Sequence, residues 1–593
     1  MPELVYRLKQ GIFIWQLRTL LRKNVMPVQV PVVSRLDAER LKLPSLQLRV
    51  SEDIVKKIIT GEFFGLNSDR NSLRKCEEDI CNSLFSDIKL SDFSLDIRSA
   101  WEPARLQHIT ILLVYLQRYP EISGSDILKQ WAKDAVLKWI NDNPFLFGLH
   151  YISAMECGLR IPVFFYALKS LDNLDSREYQ LILDTIHLHA WLVSKRMSLY
   201  SSLGNHTVGE CVGLIFAGAI FRKTKPGKKW LKTGLSLLKK ELDHQIYEDG
   251  GPAEQSLNYH RLVLDLYWLC VDFLESNNFY DCRAIKPKLV SGEKFLKTFE
   301  DSRGNIPSIG DSDDGYAVAP GISPRRGKTQ RENRGIKFFK RSGCSIINTE
   351  NGATLTFDHG PLGMPPLYNH GHADALSITF TKEGRQLIVD SGTYRYNGSP
   401  EWRQYFKGTR AHNTVTIDGL DQAVQETPFI WSKPYKTKLV RATETNGKVL
   451  VEAIHDGYSR MRMPVWHQRC IIYFEETKFL IRDTFFGEGI HIFELNYHLH
   501  PEASVTKHHD FWIVDNHGVK VFISLFGGDD FVIVKGQKNP LLGWYSPAYG
   551  IRRESGVLNC TRRGATKEVS FVTAICTEAP CDPEKLQAIN WAF

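Results

Sequence analysis

Near residue 330 the chain changes its hydrophobic period, and that change limits what it can fold into. Upstream, apolar residues recur at helical spacing in ARLQHITILLVYLQRY from Ala104, LKQWAKDAVLKWI from Leu128, ISAMECGLRIPVFFYALKSL from Ile152 and SLNYHRLVLDLYWLCVDFLE from Ser256. Turn formers punctuate these segments, as in NDNPF and SSLGNH. From about Gly335 the pattern becomes short β-rich runs: ATLTF, ALSITF, RQLIVD, NTVTID, KVLVEAI, RCIIYF, KFLIRD, VKVFISLF, DFVIV and VSFVTAI. Many strands in succession, with no helices between them, predict packed antiparallel sheets. At 593 residues the chain also exceeds what one core can organise. The expectation is an α+β multidomain protein. It comprises an N-terminal extension over 1–95 packed on the helical part, a helical domain over 96–330 and an antiparallel β-sandwich over 331–593. The basic, turn-rich stretch SPRRGKTQRENRG from Ser323 reads as a linker or exposed loop.

Composition narrows the function classes. With 75 Lys+Arg against 67 Asp+Glu the net charge is +8, which suits an anionic ligand without demanding one. Hydrophobic and charged fractions of 43% and 24% exclude collagen, an extended coiled coil and wholesale disorder. The 11 cysteines are scattered, odd in number and without a CxxC, so they read as reduced thiols. The N-terminal MPELVYRLKQGIFIWQLRTLLRKN lacks an uninterrupted apolar run and a small-residue cleavage site. It reads as a surface helix, with a basic amphipathic helix lying on a membrane as the alternative. No stretch approaches a transmembrane span. As written, the chain reads as cytoplasmic, or as periplasmic or secreted if an export signal has been removed. No Walker loop, no GxGxxG after a strand and no GxSxG elbow occurs. Basic and aromatic residues do not interleave as in nucleic-acid readers, so no nucleic-acid partner is expected.

The densest chemistry lies in YNHGHADALSITF from Tyr368. His370, His372 and Asp374 share one parity, and in an extended strand they would share one face. Asp390 closes the apolar run LIVD, and His412 directly precedes NTVTID. Strand-end residues of a sandwich can meet, so the histidines of this cluster, Asp390 and His412 can give a His/Asp/His set suited to one divalent ion, zinc or manganese before calcium. In the helical half, SLGNHTVGE places Asn205, His206 and Glu210 at a turn leading into a helix, where Asn205 can equally serve as an N-cap. YEDGGPAEQSLNYHRL places Glu254, Ser256, Tyr259 and His260 after a tight turn, with Ser256 and Tyr259 on one helix face. PSIGDSDDGYAV carries Asp311, Asp313 and Asp314. Its spacing resembles part of a calcium loop without the full ligand pattern, so it reads as a turn walling the cleft.

NHGHADALSITF, IVDSGTYRY and FKGTRAHNTVTIDGLDQ, in that order, resemble the signature of the heparinase II/III-like polysaccharide lyases. NPFLFGLHYISAMECGLR, GNHTVGE and DGGPAEQSLNYH are similar to the same family's helical motifs. The resemblance implies an α/α toroid (an incomplete barrel of helical hairpins) followed by an antiparallel β-sandwich, with the substrate cleft between them. It implies β-elimination on an anionic, uronate-containing polysaccharide: a glycosaminoglycan such as heparan sulfate, hyaluronan or chondroitin, or else alginate. That reaction must neutralise a carboxylate, remove the C5 proton beside it and protonate the oxygen leaving C4. By resemblance, Asn205, helped by His206, binds the carboxylate. Tyr259 moves protons, His370 is the second base or stabiliser, and His372, Asp390 and His412 hold a structural metal. Glu210, Glu254, Arg261 and Arg410 are the further residues expected to contact substrate. Arg395 and Arg403 are expected with Arg261 and Arg410 around the cleft. Relatives often carry a second Asn where this chain has Gly204. Two alternatives stay open: a glycoside hydrolase using Glu254 with Asp313 or Asp314, and a non-catalytic carbohydrate-binding protein of surface-polysaccharide biosynthesis. Oligomeric state is left open.

Overall fold

The computed structural model describes residues 2–32, 34–63, 77, 80–89, 96–200, 202–301, 304–326, 335–445 and 447–582. Most of the expected linker therefore lies outside the described residues. The chain packs as two units. The first comprises Met1–Gln245, Leu262–Leu289 and Tyr316–Lys328, and the second Ile246–Arg261, Val290–Gly315 and Thr329–Phe593.

The first unit is helical. Gln107–Arg118, Ser125–Asp142, Ala154–Ser170, Ser176–Lys195, Asn205–Ile220 and Lys225–Gln245 follow one another, and short connections fold each back against a neighbour. Ser176–Lys195 opens on a capping box, in which Asp175 accepts from the Glu178 amide and Glu178 returns to the Asp175 amide. Glycines let Ala154–Ser170 approach Asn205–Ile220 closely: a Cβ on Gly213 would lie 2.7 Å from the Gly158 Cα. Among the described residues the array does not close into a barrel. One short strand, Leu46–Leu48, pairs with Ile322–Pro324 inside this unit. Arg105 and Glu156 form a buried two-pronged ion pair at 2.8 and 2.7 Å.

The second unit is sheet-rich and antiparallel. An eight-stranded sheet runs Thr437–Thr445, Lys448–Tyr458, Val465–Phe474, Lys478–Gly487, Ser570–Cys576, Val519–Phe526, Trp512–Asn516 and Ser504–Lys507. A five-stranded meander from Gly335–Phe339 to Arg385–Ile388 and a four-stranded sheet ending on Val415–Ile417 complete the layers. Alternating side chains from all three meet in one core, among them Leu355, Phe380, Val415, Val451, Ile481, Phe493, Leu558 and Phe571. One buried charge cluster inside the sandwich is fully paired. Asp483 accepts from His467 at 2.7 Å and from Arg469 at 2.7 and 3.1 Å, and Arg469 also donates to the Leu376 and Asn413 carbonyls.

The strands expected from alternation are present, with one departure at the site. Residues 368–377 are not a strand: the meander's Ile378–Lys382 begins only after them. The shared parity of His370, His372 and Asp374 therefore does not put them on a sheet face. Gly371 explains the local path, because a Cβ there would lie 1.4 Å from the Leu362 carbonyl oxygen. The two histidines flank a point where only backbone fits. A helix in the β-rich half, Pro400–Lys407, was also absent from the sequence reading.

Candidate active site and metal centre

The site in the second unit is built on Asp311. The segment carrying it is stitched at several points. Ser256 Oγ donates to the Asp311 carbonyl at 2.6 Å and accepts the Tyr259 amide at 3.2 Å, which also caps the helix Leu257–Ser276. The Asp311 amide donates to the His370 carbonyl at 2.9 Å. The Ser312 amide donates to Thr393 Oγ1 at 2.7 Å. One turn, one helix start and one loop, far apart in sequence, are thus held in register.

The Asp311 carboxylate has 0% exposure and serves three side chains. Oδ2 accepts from His370 Nδ1 at 3.0 Å and Oδ1 from His372 Nε2 at 3.0 Å. Arg403 clamps both oxygens, at 2.5 and 2.9 Å. Burial pushes this carboxyl up, but the Arg403 charge and the His370, His372 and Arg403 hydrogen bonds outweigh burial and hold it well below the usual range. An ionised Asp311 fixes both tautomers: His370 carries its proton on Nδ1 and His372 on Nε2. Asp311, read from sequence as part of a cleft wall, is the organiser of the site. Arg403, expected around the cleft, is instead buried because its charge balances Asp311.

Tyr259 stacks on His370, with ring centroids 3.8 Å apart and planes 22° from parallel. Its hydroxyl donates to Asp313 Oδ2 at 2.8 Å and lies 3.0 Å from the Tyr396 hydroxyl. Tyr396, within the quoted IVDSGTYRY motif, was not singled out from sequence. It packs against Phe429 and Tyr549, with Arg403 4.9 Å from its ring centre. Asp313 also accepts from the Gly315 amide, and Asp314 accepts from the Tyr549 amide. Asp313 and Asp314, two of the carboxyl groups weighed for a hydrolase, are thus committed to the tyrosine and to backbone.

A second constellation begins on the other side of Asp311. His372, Asp390 and His412 are buried, with ligand-type atoms within 4.8 Å of one another. The ends of Arg385–Ile388 and the approach to Val415–Ile417 supply Asp390 and His412, as their strand-end positions predicted. His412 Nδ1 lies 2.9 Å from Asp390 Oδ2. His372 Nδ1 and His412 Nε2 are buried without a hydrogen-bond partner among the described residues. Burial pushes His372 down to about 4, so it is a neutral imidazole with a free lone pair. Two further carboxyls crowd the place. Burial lifts Asp358 to about 7, and burial with the Asp358 charge lifts Asp374 well above the ordinary range. Orphaned imidazole nitrogens among buried carboxyls are what a bound cation satisfies, so the residues fit a divalent ion. Asp358 had no signal in the sequence beyond ending a β run.

The remaining expected residues lie as follows. In the first unit, Asn205 is the first residue of Asn205–Ile220, whose N-cap is Gly204 at φ 117. Asn205 is therefore not the N-cap, and the departure to glycine has a backbone reason, because few other residues adopt that φ. Asn205 is buried and His206 is half-buried, close enough to the Arg105–Glu156 pair to help hold Glu156 ionised. Glu210 has 0% exposure and accepts from the Ser198 amide and Oγ, both at 2.7 Å. In the second unit, Glu254 is buried, Arg261 donates to Asn258 at 2.6 Å, and Arg410 pairs with Glu494 at 2.9 Å.

Two family models match the chain: "Heparinase II/III N-terminus" over residues 127–282 and "Heparinase II/III-like, C-terminal" over 331–590. The chain belongs to the heparinase II/III-like family. A heparin-sulfate lyase of Bacteroides stercoris is 24% identical over 442 residues, 68% of this chain and 61% of that protein. One of Pedobacter heparinus is 25% identical over 345 residues, 52% of this chain and 49% of the relative. The chain thus spans between about half and three-fifths of the length of these family members. A heparinase III crystal structure shares the fold with a TM-score of 0.64 at 17% identity, over 80% of this chain and 77% of that one. The heparan sulfate lyase structure from Pedobacter heparinus gives 0.55 at 15%, over 92% and 94%. The family fold, a helical toroid with an antiparallel sandwich, is the one seen here.

Proposed function

We propose that this family member is a polysaccharide lyase that cleaves uronate-containing chains, glycosaminoglycans first among them, by β-elimination. One observation carries the reading: the Tyr259 hydroxyl, set between Asp313 and Tyr396, stacks on a histidine whose Nδ1 proton is committed to Asp311. His370 therefore turns the basic Nε2 away from Asp311, and the tyrosine hydroxyl stands beside it. These are the two kinds of group that elimination needs.

In the proposed reaction Asn205, with His206, hydrogen-bonds the substrate carboxylate as charge develops on it. Where the C5 hydrogen and the C4 oxygen leave from one face, Tyr259 takes the proton and returns one to the departing oxygen. Where they leave from opposite faces, His370 Nε2 takes the C5 proton and Tyr259 protonates the oxygen. The C5–H and C4–O bonds break, a C4–C5 double bond forms, and no water is consumed. Glu254, Arg261 and Arg410 are proposed to line the substrate path. His372, Asp390 and His412 would hold one zinc or manganese ion, whose charge would neutralise the buried carboxyls beside it. The heparin-sulfate lyases among the relatives support a sulfated glycosaminoglycan as first choice. Among the described residues no helix is long and apolar enough to cross a membrane.

The test is a panel of heparan sulfate, hyaluronan, chondroitin sulfate and alginate, followed by the ultraviolet absorbance of the unsaturated uronate. Tyr259→Phe should abolish the signal on whichever polymer responds. New reducing ends without that absorbance would refute elimination.

A further inference from the structure

The helix Pro2–Arg22 is apolar on two opposite faces. One face is used inside the first unit. Tyr6 donates to the Met197 carbonyl and packs on Tyr200, Phe13 packs on Trp191 with ring centroids 5.6 Å apart, Gln10 donates to the Lys195 carbonyl, and Leu17 is buried. A helix fixed in this way should be polar on its outer side. Instead Leu4, Leu8, Ile12 and Trp15 form one stripe at helical spacing, exposed to 62%, 59%, 55% and 67%.

Charge frames the stripe. Helical periodicity places Arg7 and Arg18 along one border and Lys9 along the other, with Arg22 and Lys23 at the helix end. Glu3 is the sole acid from Pro2 to Lys23. Arg7 pairs with Glu3 and Arg18 with Asp87, which leaves Lys9, Arg22 and Lys23 without an acidic partner among the described residues.

We propose that this face docks on an anionic phospholipid bilayer, lying in the plane of the surface with Leu4, Leu8, Ile12 and Trp15 below the headgroups and the flanking cations among the phosphates. Apolar residues bordered by cations are the recognition chemistry of an anionic lipid surface, and an amphipathic Trp suits the depth at which polar and apolar meet. A second copy of the chain fits less well. A two-fold contact lays the same patch on itself, so the basic borders would face each other. Because the inner face is anchored by named contacts, the helix does not need to detach to bind.

The test is vesicle flotation of the full chain with phosphatidylcholine alone and with phosphatidylcholine mixed with phosphatidylglycerol. The chain should float with the anionic vesicles and much less with the neutral ones, and added salt should weaken the binding. Leu8→Gln with Trp15→Gln should lower partitioning about tenfold or more. Both positions are exposed, so circular dichroism and the unfolding midpoint should not change, and a second pair, Lys9→Gln with Lys23→Gln, should weaken anionic binding alone. No flotation with anionic vesicles, or flotation unaffected by the Leu8/Trp15 pair, overturns the proposal. A mass by light scattering that falls from dimer to monomer in that pair, without vesicle binding, would assign the face to a second copy instead.

Discussion

Replacing Asp311 by Asn separates the stability of the site from its chemistry. The carboxylate accepts four hydrogen bonds: two from Arg403 and one each from His370 and His372. An amide keeps one acceptor oxygen and turns an NH2 toward donors that had faced the other, and it leaves the 2%-exposed Arg403 without its counter-charge. Breaking a buried pair by removing one partner costs about 3–5 kcal/mol, most of it the uncompensated charge. Asp311→Asn should lose that much in denaturant unfolding of the second unit, followed by a probe placed there. Adding Arg403→Met removes the stranded charge while keeping an apolar contact for the Tyr396 ring, and should recover stability to within about 2 kcal/mol of wild type. Turnover should not recover, because the single amide oxygen can accept from only one of His370 Nδ1 and His372 Nε2, and the other imidazole is free to rotate. An Asp311→Asn protein as stable as wild type, or a double variant that regains turnover, would refute the assignment of Asp311 as organiser of the site.

Gly371→Ala should lower turnover by about a hundredfold or more, since a Cβ 1.4 Å from the Leu362 oxygen must displace His370 or His372; steady-state kinetics at unchanged helix content by circular dichroism check it. Chelation should lower the unfolding midpoint by roughly 5 °C or more in the wild type and leave His372→Ala unmoved, because that variant has already lost a ligand. Metal analysis of purified His372→Ala should find no stoichiometric ion, and a retained ion would overturn the ligand assignment. Burial raises Glu210 from 4.5 to about 8, so the folded chain keeps a proton that the unfolded chain loses near the ordinary value. This contribution is complete below about pH 4.5, fades as pH rises toward 8, and is level above it. Unfolding free energies across that window should fall less steeply in Glu210→Gln.

The architecture was legible because period is a local property: the helical spacing before residue 330 and the alternation after 335 each report one buried face. The His372/Asp390/His412 triad was legible for a related reason. Asp390 and His412 stand at ends of recognisable strands, and strand ends in a small sandwich have few places to go. Asp311 was not, because its partners are His370, His372 and Arg403, and only three-dimensional closure turns a D-x-D-D-G turn into a carboxylate that orients two imidazoles. Tyr396 and Asp358 were missed because a tyrosine after GTY, or an aspartate ending a strand, looks like ordinary packing. The HGH spacing was read correctly as special but for the wrong geometry. Its glycine marks a close approach of backbone to Leu362, and the histidines diverge from a loop, His370 toward Tyr259 and His372 toward His412, with Asp311 holding both.

Mass spectrometry of the products of the most responsive polymer tests the central claim most directly. Elimination predicts oligosaccharides whose new non-reducing end is an unsaturated uronate, one water lighter than the corresponding hydrolysis products. Their formation should be lost in Tyr259→Phe while the variant keeps the wild-type unfolding midpoint. Products carrying the full added water, or undiminished turnover in Tyr259→Phe, would contradict it.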